Sequence, residues 1–379
     1  MSDADRQQRV HELFARRVQQ AFPSTEEAIN RVAGGQSLAI YYGIDPTGPD
    51  VHLGHVVQLI LLKELESLGH TITILIGDFT ARIGDPTGKD VGRKALTEDE
   101  VESNAATYLD QIKKVVPDNQ FRVEHNSEWL SGLTMEQVLK LTSMATVQQM
   151  LAREMFQERL KNEQPIHVSE FLYPLMQGYD SVAMKVDGEV GGNDQIFNML
   201  VGRDLERELI GKDKLVLATR LLTDSGTGKK MSKSEGTLIA VNDSPQEIRR
   251  KTLNVIGDDM VRSVFGLCTA MEKGEIDALE KKFEGDPRGF KEALSDALVA
   301  LFHGKEQVAP SRAPEEARPG MLTDVLVAAG AADSTSVAKR LIDQGAVEVN
   351  DIVVKEWKHE VRSGDRIQIG KGRFVKITE

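Results

Sequence analysis

Apolar residues in the first part of the chain form short continuous runs separated by segments with helical spacing. The runs at residues 37–43 and 71–77 are typical of buried strands, and residues 54–68 between them carry apolar side chains at the spacing of a helix. A strand, a helix and a strand in this order predict a parallel βαβ unit. Capping boxes at residues 24–27 and 97–100 predict two further helices, and residues 120–124 predict a further strand. The pattern therefore favours an α/β fold with a Rossmann-like, doubly wound parallel sheet.

The pattern changes twice in the rest of the chain. After residue 130 it is mostly helical up to a strand-like run at 215–222, and a second helical region extends from a capping box at 244–247 to about residue 302. A polar, proline-interrupted stretch then predicts a linker, and a small α+β tail follows it. The predicted parts are a Rossmann-like domain at 1–235 with a helical insertion at about 130–200, an α-helical domain at 236–303, a linker at 304–318 and the tail at 319–379.

Composition narrows the class of protein. The chain has 40% hydrophobic and 28% charged residues, and no apolar run approaches the roughly 18 residues that suggest a membrane span. Its first residues are polar and lack the apolar segment of a secretory signal, and its one cysteine, Cys268, fits a reducing compartment. We therefore expect a cytoplasmic protein without membrane association. The net charge of −12 argues against a generally basic nucleic-acid binder but allows a local basic face.

A histidine motif, His52-Leu-Gly-His55, follows the first predicted strand at the entry to a helix. Open α/β sheets bind ligands at this position, and helix N-termini favour phosphates. Two imidazoles can donate hydrogen bonds to phosphate oxygens, and Gly54 between them allows a nucleotide to approach the backbone. A metal site is an alternative, but no Cys/His cluster completes a zinc shell. Alone, the motif also fits a turn with incidental histidines.

A second motif, Lys230-Met-Ser-Lys-Ser234, follows a glycine-rich stretch that begins at Asp224. Two ammonium groups and two hydroxyls on a mobile loop can close over a triphosphate and stabilise developing negative charge. By itself such a loop fits an ordinary solvated basic face equally well. The histidine motif upstream of it favours the phosphate-binding interpretation.

Together the two motifs resemble the signatures of class I aminoacyl-tRNA synthetases. The segments at residues 41–47, 173–180 and 191–195, which read Tyr-Tyr-Gly-Ile-Asp-Pro-Thr, Tyr-Pro-Leu-Met-Gln-Gly-Tyr-Asp and Gly-Gly-Asn-Asp-Gln, resemble the tyrosyl-tRNA synthetase family in particular. The resemblance covers nearly the whole chain. A complete Lys-Met-Ser-Lys-Ser, Glu189 where other members carry Gln and Asn193 where others carry Ser suggest a subgroup of that family.

The resemblance implies a tyrosine pocket. Tyr41 and Asp180 would hydrogen-bond the phenolic hydroxyl, so phenylalanine would leave both unpaired, as in the general argument for tyrosine selection without editing. Tyr173, Gln177 and Asp85 would bind the ammonium group. By the same resemblance, Asp194 and Gln195 would contact the ribose and the aminoacyl-adenylate, as would Gly192. The tyrosine-binding set is Tyr41, Asp85, Tyr173, Gln177, Asp180 and Gln195.

The resemblance also implies ATP as a substrate and Mg²⁺ as its partner. Tyrosine carboxylate would attack the α-phosphate, giving tyrosyl-adenylate and pyrophosphate, and the terminal adenosine of tRNA(Tyr) would then accept the tyrosyl group. Lys89 and Arg93 resemble a mobile cationic loop that engages pyrophosphate. The implied catalytic residues are Thr47, His52, His55, Lys89, Arg93, Lys230 and Lys233. The implied ATP-binding residues are Asp45, His52, Gly54, His55, Asp194 and Lys233, with no protein metal site.

Residues 335–350 resemble an alpha-L RNA-binding module, in which Lys339, Arg340, Lys371, Arg373 and Lys376 would meet tRNA phosphates. The resemblance implies a homodimer, and residues 134–155, with Met144, Val147 and Met150, are the expected interface. The helical domain at 236–303 would bind tRNA. Two alternatives remain: a tryptophanyl-tRNA synthetase, against which Tyr41 and Asp180 argue, and a noncatalytic RNA-binding protein, against which both intact motifs argue.

Overall fold

A computed structural model describes residues 2–87, 96–222, 238–308, 315–329, 331–332, 334–350, 352–370 and 373–377. The chain divides into two compact units, Met1–Gln307 and Val308–Glu379. The predicted helical domain at 236–303 lies in the first unit together with the sheet, and its status as a separate domain stays a prediction. Among the helices of these described ranges, none is both long enough and apolar enough to cross a membrane.

A mixed sheet forms the centre of the first unit. Its described strands are β1 Val18–Phe22, β2 Ala39–Ile44, β3 Thr71–Ile76, β4 Arg122–His125, β5 Gly188–Gly192 and β6 Leu215–Thr219. They lie in the order β1-β6-β5-β2-β3-β4, with β1 antiparallel to β6 and all other pairs parallel. Every residue of β6 is buried, as expected for a strand covered on both faces. The predicted α/β fold is confirmed, with β1 as an unpredicted antiparallel edge.

Helices surround this sheet, and those that follow Ser24, Thr97 and Ser244 begin at the predicted caps. Ser24 and Ser244 each accept a hydrogen bond from a backbone N–H of the first helical turn, and Thr97 forms the complete capping box with Glu100. The first unit contains α1 Asp3–Arg17, α2 Thr25–Ala33, α3 Leu53–Ser67, α4 Glu98–Val115, α5 Ser127–Leu130, α6 Met135–Thr142, α7 Val147–Leu151, α8 Glu154–Lys161, α9 Val168–Met184, α10 Ile196–Ile210, α11 Pro245–Val255, α12 Val261–Cys268, α13 Lys273–Lys282 and α14 Pro287–His303.

The region between residue 130 and β6 is mostly helical as predicted, but the strand β5 interrupts it. Its sequence, Gly-Glu-Val-Gly-Gly, has few of the residues that favour strands, so the pattern gave no signal. The glycines serve close packing: a Cβ on Gly191 would lie 2.8 Å from Met199 Sδ, and one on Gly192 would lie 2.5 Å from Asp194 Oδ1. Pairing with both neighbouring strands therefore overrides a weak local preference.

Helices α9 and α10 cross closely through two glycines. A Cβ on Gly178 would lie 3.1 Å from the Cα of Gly202, and one on Gly202 would lie 2.6 Å from Lys214 Nζ. Helices approach this closely only where side chains are absent at the contact. The crossing brings the C-terminal half of α9 next to the start of β6.

The second unit is a small α+β module. Its helices are α15 Leu322–Ala328 and α16 Thr335–Asp343, and its described strands are β7 Glu315–Ala317, β8 Gly320–Met321, β9 Val347–Val349, β10 Ile352–Val353, β11 Glu360–Val361, β12 Arg366–Ile369 and β13 Arg373–Ile377. One sheet has the order β10-β9-β12-β13-β7, and β11 pairs with β8. Leu326, Ile342 and Ile367 are fully buried in its core.

Strand β7 lies inside the predicted linker at 304–318. It pairs in parallel with β13. Strand pairing uses backbone groups at a sheet edge, so a polar segment without apolar alternation can extend a sheet. Here the tail module begins before the residue at which the sequence pattern placed it.

Candidate active site

The carboxyl ends of β2, β3 and β4 meet at one edge of the sheet, where open α/β sheets bind ligands. Asn126, which follows β4, donates from Nδ2 to Thr80 Oγ1 over 2.9 Å. Thr80 in turn donates to Oδ1 of Asp45, the residue after β2, over 2.8 Å. A Cβ on Gly77, after β3, would lie 1.9 Å from the same Asp45 oxygen. The edge is therefore a connected polar site with little spare room.

Asp45 is half-buried and receives a second hydrogen bond from Tyr173 on α9. The Tyr173 hydroxyl donates to Asp45 Oδ2 over 2.8 Å. Burial raises the pKa of Asp45 to about 7, although the hydrogen bonds from Thr80 and Tyr173 lower it. Thr47 is close by, and its backbone N–H donates to the carbonyl of Asp45 over 2.7 Å. Both residues predicted to border the site thus lie at its edge.

Tyr41 lies on β2 and is fully buried. Its hydroxyl is 2.9 Å from Ser181 Oγ on α9. Trp129 packs against the cluster that contains Tyr41. Burial raises the pKa of Tyr41 well above its usual value, and the charges of Glu189 and Asp180 raise it further. The phenol therefore keeps its proton and can donate as well as accept.

Asp180, next to Ser181 on α9, is also buried. Trp129 Nε1 donates to its Oδ1 over 2.8 Å, and Asn126 Nδ2 is 3.3 Å from its Oδ2. Burial raises the pKa of the Asp180 carboxyl well above its usual value, against the effect of these two donors. The structure thus brings Tyr41 and Asp180, predicted to hold one phenolic hydroxyl, into a single buried region through Trp129 and Ser181.

Gln177 lies one turn from Tyr173 on α9 and points to a buried ion pair. Its Nε2 donates to Glu189 Oε1 over 3.1 Å. Glu189 forms an ion pair with Lys214, and both side chains are almost completely buried. In this structure Gln177 therefore contacts Glu189 on β5.

Asp85 and Gln195 contact each other directly. Gln195 Nε2 donates to Asp85 Oδ2 over 2.6 Å, and the backbone N–H of Thr87 donates to Asp85 Oδ1 over 2.9 Å. Asp194 precedes Gln195 in the turn after β5 and lies against Gly192. These predicted residues come from two separate chain segments, and the fold joins them.

The histidine motif forms the N-terminus of α3. His52 is the N-cap: its Nδ1 accepts from the Gly54 N–H over 3.1 Å, and His55 Nδ1 accepts from the His52 N–H over 3.2 Å. The two rings are stacked with their centroids 3.8 Å apart. Because each Nδ1 accepts, the neutral tautomer carries its proton on Nε2, which is the nitrogen able to donate.

The structure gives a different reason for the glycine at position 54 from the one that the sequence predicted: Gly54 leaves space for a side chain of the same motif. A Cβ at this position would lie 2.9 Å from Cε1 of His52, so the glycine makes room for the capping ring itself. A close approach of a nucleotide stays a prediction. Among the described residues, no group of three His, Cys, Asp or Glu side chains is arranged to hold a metal ion.

Several predicted cations lie outside the described residues: Lys89, Arg93, Lys230, Lys233 and Lys371. The described chain next to the second motif is nevertheless attached to the first. The N–H of Leu53 donates to the carbonyl of Ile239 over 3.1 Å, and the N–H of Val241 donates to that of Val51 over 2.8 Å. The segment that follows the lysine motif is thus fixed beside the histidine motif.

The predicted RNA-binding and interface residues are less completely described. Lys339 and Arg340 are exposed on α16. Arg373 and Lys376 belong to β13, but their side chains are outside the described part of the chain. Of the predicted interface residues, Val147 is exposed and Met144 half-buried. Met150 is only 3% exposed and so belongs to the core of its own chain, because it faces inward from α7.

Sequence reasoning missed residues that support the pocket from behind. Trp129 and Asn126 hold Asp180, while Ser181 and Lys214 connect to Tyr41. Position gave a signal for Asn126, because it directly follows a strand at the ligand-binding edge. The others come from segments far apart in sequence, and no spacing links them.

Comparison with known proteins agrees with this geometry. The family model for tRNA synthetases class I (W and Y) matches residues 34–311, and the S4 domain model matches residues 322–367. The chain is 39% identical to a tyrosine–tRNA ligase of Carboxydothermus hydrogenoformans, with 98% of each chain covered. It is also 39% identical to that of Thermotoga maritima, with 94% of each covered.

Solved structures share the fold. The mitochondrial tyrosyl-tRNA synthetase of Aspergillus nidulans superposes with a TM-score of 0.66 at 23% identity, covering 81% of this chain and 96% of that one. The Archaeoglobus fulgidus tyrosyl-tRNA synthetase, solved with L-tyrosine, gives 0.62 at 20% identity, covering 82% and 100%. The chain therefore belongs to the class I tRNA synthetases of the tryptophan and tyrosine group, and within that group to the tyrosine–tRNA ligases, with an S4 domain at its C-terminal end.

Proposed function

We propose that this enzyme activates L-tyrosine with ATP to tyrosyl-adenylate and pyrophosphate, and then transfers tyrosine to the 3'-terminal adenosine of tRNA(Tyr). The carboxylate of tyrosine attacks the α-phosphate and pyrophosphate leaves with the bonding electrons. Catalysis relies on positioning and on electrostatic stabilisation of the leaving phosphates. No covalent enzyme intermediate is needed.

The observation that carries the choice of tyrosine is the buried arrangement of Tyr41, Trp129 and Asp180. Trp129 packs against the Tyr41 cluster and donates to Asp180, so a hydroxyl and a carboxyl share one apolar enclosure. A phenolic hydroxyl can accept from the first and donate to the second. Phenylalanine would deprive both buried groups of the hydrogen bond that the substrate hydroxyl supplies, which is costly.

The other end of tyrosine would meet the polar edge of the sheet. Tyr173, Gln177 and Asp85 would bind the ammonium group, with Gln195 close to Asp85. Without tyrosine these side chains pair with Asp45, Glu189 and each other, so binding would exchange hydrogen bonds and would not desolvate unpaired groups. That exchange keeps the cost of binding small.

The phosphates would lie at the N-terminus of α3. His52 and His55 offer Nε2 donors there, the positive end of the helix dipole supports negative charge, and Asp45, Thr47, Gly54 and Asp194 would surround the nucleotide. Lys89, Arg93, Lys230 and Lys233 would close over the leaving pyrophosphate. Magnesium would enter bound to ATP, as part of the substrate.

The remaining parts of the proposal concern partners. Basic side chains of the S4 domain, Lys339 and Arg340 among them, would contact tRNA phosphates, and the helices between 236 and 303 would add to that contact. The enzyme would be a cytoplasmic homodimer joined through the helices of residues 134–155. Exposed apolar side chains on α6 and α7 support such an interface.

Pyrophosphate exchange into ATP, measured separately with tyrosine, tryptophan and phenylalanine, tests the proposal. We expect exchange with tyrosine and none above background with the other two. Exchange supported by tryptophan alone would overturn the choice of substrate. Aminoacylation of purified tRNA(Tyr) then tests the second step.

A further inference from the structure

A buried ammonium group lies directly behind the tyrosine pocket. Lys214 precedes β6 and is fully buried. Its Nζ donates to Ser181 Oγ over 2.5 Å and to the carboxylate of Glu189 on β5. Ser181 Oγ is in turn 2.9 Å from the Tyr41 hydroxyl. Lys214, Ser181 and Tyr41 therefore form a continuous chain of polar contacts.

The chemistry of the three groups decides which of them donates in each hydrogen bond. An ammonium group can only donate, so Ser181 Oγ accepts from Lys214. Among the described residues, the Tyr41 oxygen is the one acceptor that the Ser181 hydroxyl reaches. Ser181 therefore donates its proton to Tyr41. The proton of Tyr41 then points away from Ser181, where the Glu189 carboxylate and a bound phenol can accept it.

We propose that Lys214 and Glu189 are positioning residues that act through Ser181, and that they orient the Tyr41 hydroxyl as the hydrogen-bond donor to the phenolic oxygen of tyrosine. This inference rests on the proposed role of Tyr41 and Asp180. The bound phenol accepts from Tyr41 and donates to Asp180. In the series from Lys214 through Ser181, Tyr41 and the bound phenol to Asp180, each group then donates to the next.

Glu189 keeps the ammonium group in place. An isolated buried charge is costly, and a hydrogen-bonded partner offsets that cost. Glu189 contacts Lys214 with one oxygen, while its other oxygen accepts from Gln177 Nε2 over 3.1 Å. The carboxylate is thus held between the ammonium group and a residue of the pocket.

The arrangement adds to selectivity in a specific way. If the Tyr41 hydroxyl could donate to Ser181, it would keep a hydrogen bond when the pocket is empty or holds an apolar ligand. With Ser181 already donating, the Tyr41 hydroxyl loses the phenolic oxygen as an acceptor when phenylalanine is bound and keeps only the nearby Glu189 carboxylate. The loss of that buried hydrogen bond is costly, so the direction of donation from Ser181 to Tyr41 increases discrimination against phenylalanine.

A double-mutant cycle tests the proposal with kcat/KM for tyrosine and for phenylalanine in pyrophosphate exchange. We expect Ser181→Ala to lower the tyrosine-to-phenylalanine ratio about tenfold, the loss of one well-placed hydrogen bond. In a Tyr41→Phe background, which lacks the hydroxyl, the same substitution should change the ratio less than about twofold. Equal effects of Ser181→Ala in the wild-type and Tyr41→Phe backgrounds would show that Ser181 does not act through Tyr41.

The ion pair is tested by removing both charges together. Lys214→Met alone leaves Glu189 buried and unpaired and risks unfolding, so the informative variant is Lys214→Met with Glu189→Gln. We expect it to fold and to lower the ratio as Ser181→Ala does. Ser295→Ala is the matched control, since Ser295 is a buried serine whose hydroxyl has no partner among the described residues. An unchanged ratio in the folded double variant would overturn the role of the pair.

The outcomes also separate this inference from the pocket on which it rests. If Tyr41→Phe alone leaves the ratio unchanged, the proposed tyrosine pocket is wrong and the inference falls with it. If Tyr41→Phe lowers the ratio but Ser181→Ala acts independently, the pocket stands and only the positioning role is wrong.

Discussion

The hydroxyl of Tyr173 donates a hydrogen bond to Asp45 Oδ2 over 2.8 Å and so joins α9 to the residue that follows β2. The other carboxyl oxygen of Asp45 accepts from Thr80. Both donors favour the ionised carboxylate, yet burial outweighs them and raises the pKa of Asp45 to about 7. The charge at this edge of the sheet therefore changes near neutral pH.

This pKa predicts how Asp45 affects stability. Between its ordinary pKa of 3.8 and about 7, the folded chain holds a proton on Asp45 that the unfolded chain has lost. The contribution of Asp45 to the free energy of unfolding therefore falls as pH rises through this range, by at most about 1.4 kcal/mol per pKa unit. Asp45→Asn cannot ionise, so its free energy of unfolding should rise relative to the wild type over the same range.

Urea unfolding of both proteins at several values between about pH 4 and pH 8 measures this difference. The actual change should be smaller than the limit, because Asp45 is only half-buried and water screens part of the effect. Asp50→Asn, at an exposed carboxyl shortly after the same strand, is the control. A difference between Asp45→Asn and wild type that does not vary with pH would show that Asp45 ionises as in an unfolded chain.

His52 combines a cap with the proposed phosphate contact, and one substitution separates the two. Asparagine also accepts from the first turn of a helix, so His52→Asn should keep the hydrogen bond from Gly54 and most of the stability. It lacks the Nε2 donor. We expect kcat for adenylate formation to fall about 10²-fold with little change in tyrosine affinity. A wild-type kcat in a variant with unchanged melting temperature would remove His52 from the catalytic set.

A substitution at Gly54 should also affect the imidazole ring of His52. A Cβ would lie 2.9 Å from Cε1 of His52, so Gly54→Ala should displace the imidazole and lower kcat, although alanine favours the helix. Gly266→Ala is the control, because beyond its chain neighbours and the backbone of its own helix no atom lies within 4 Å of the Cβ that it adds. It should leave kcat unchanged. Equal kcat values for the two variants would mean that the ring tolerates the added methyl group.

Much of the fold could be predicted from local sequence. The buried runs of β2, β3 and β6 and the caps at Ser24, Thr97 and Ser244 are signals within a few residues, and each produced the expected element. The strand β5 could not be predicted, because its glycines have no strand preference and are needed for packing against α10. Strand β7 likewise depends on a partner strand near the end of the chain.

The residues of the site also fall into those that the sequence could predict and those that it could not. Motif residues such as His52 and Tyr41 could be predicted because their spacing or flanking sequence resembles a known family. Ser181 and Lys214 could not, because their contacts join α9 to the start of β6 over long sequence distances. The contacts of such residues depend on helix crossings and strand order, which the pattern of a single sequence does not specify.

The exposed apolar surface of α6 and α7 predicts self-association. Met135, Leu139 and Val147 are 73%, 61% and 59% exposed, and apolar patches of this kind mark protein interfaces. Leu139→Asp should place a charge in a desolvated interface and shift the enzyme from dimer to monomer in sedimentation velocity at micromolar concentration. Ile352→Asp, at an equally apolar and 70% exposed position in the S4 domain, should leave the dimer intact. A wild-type monomer, or a Leu139→Asp dimer as stable as wild type, would exclude this surface as the interface.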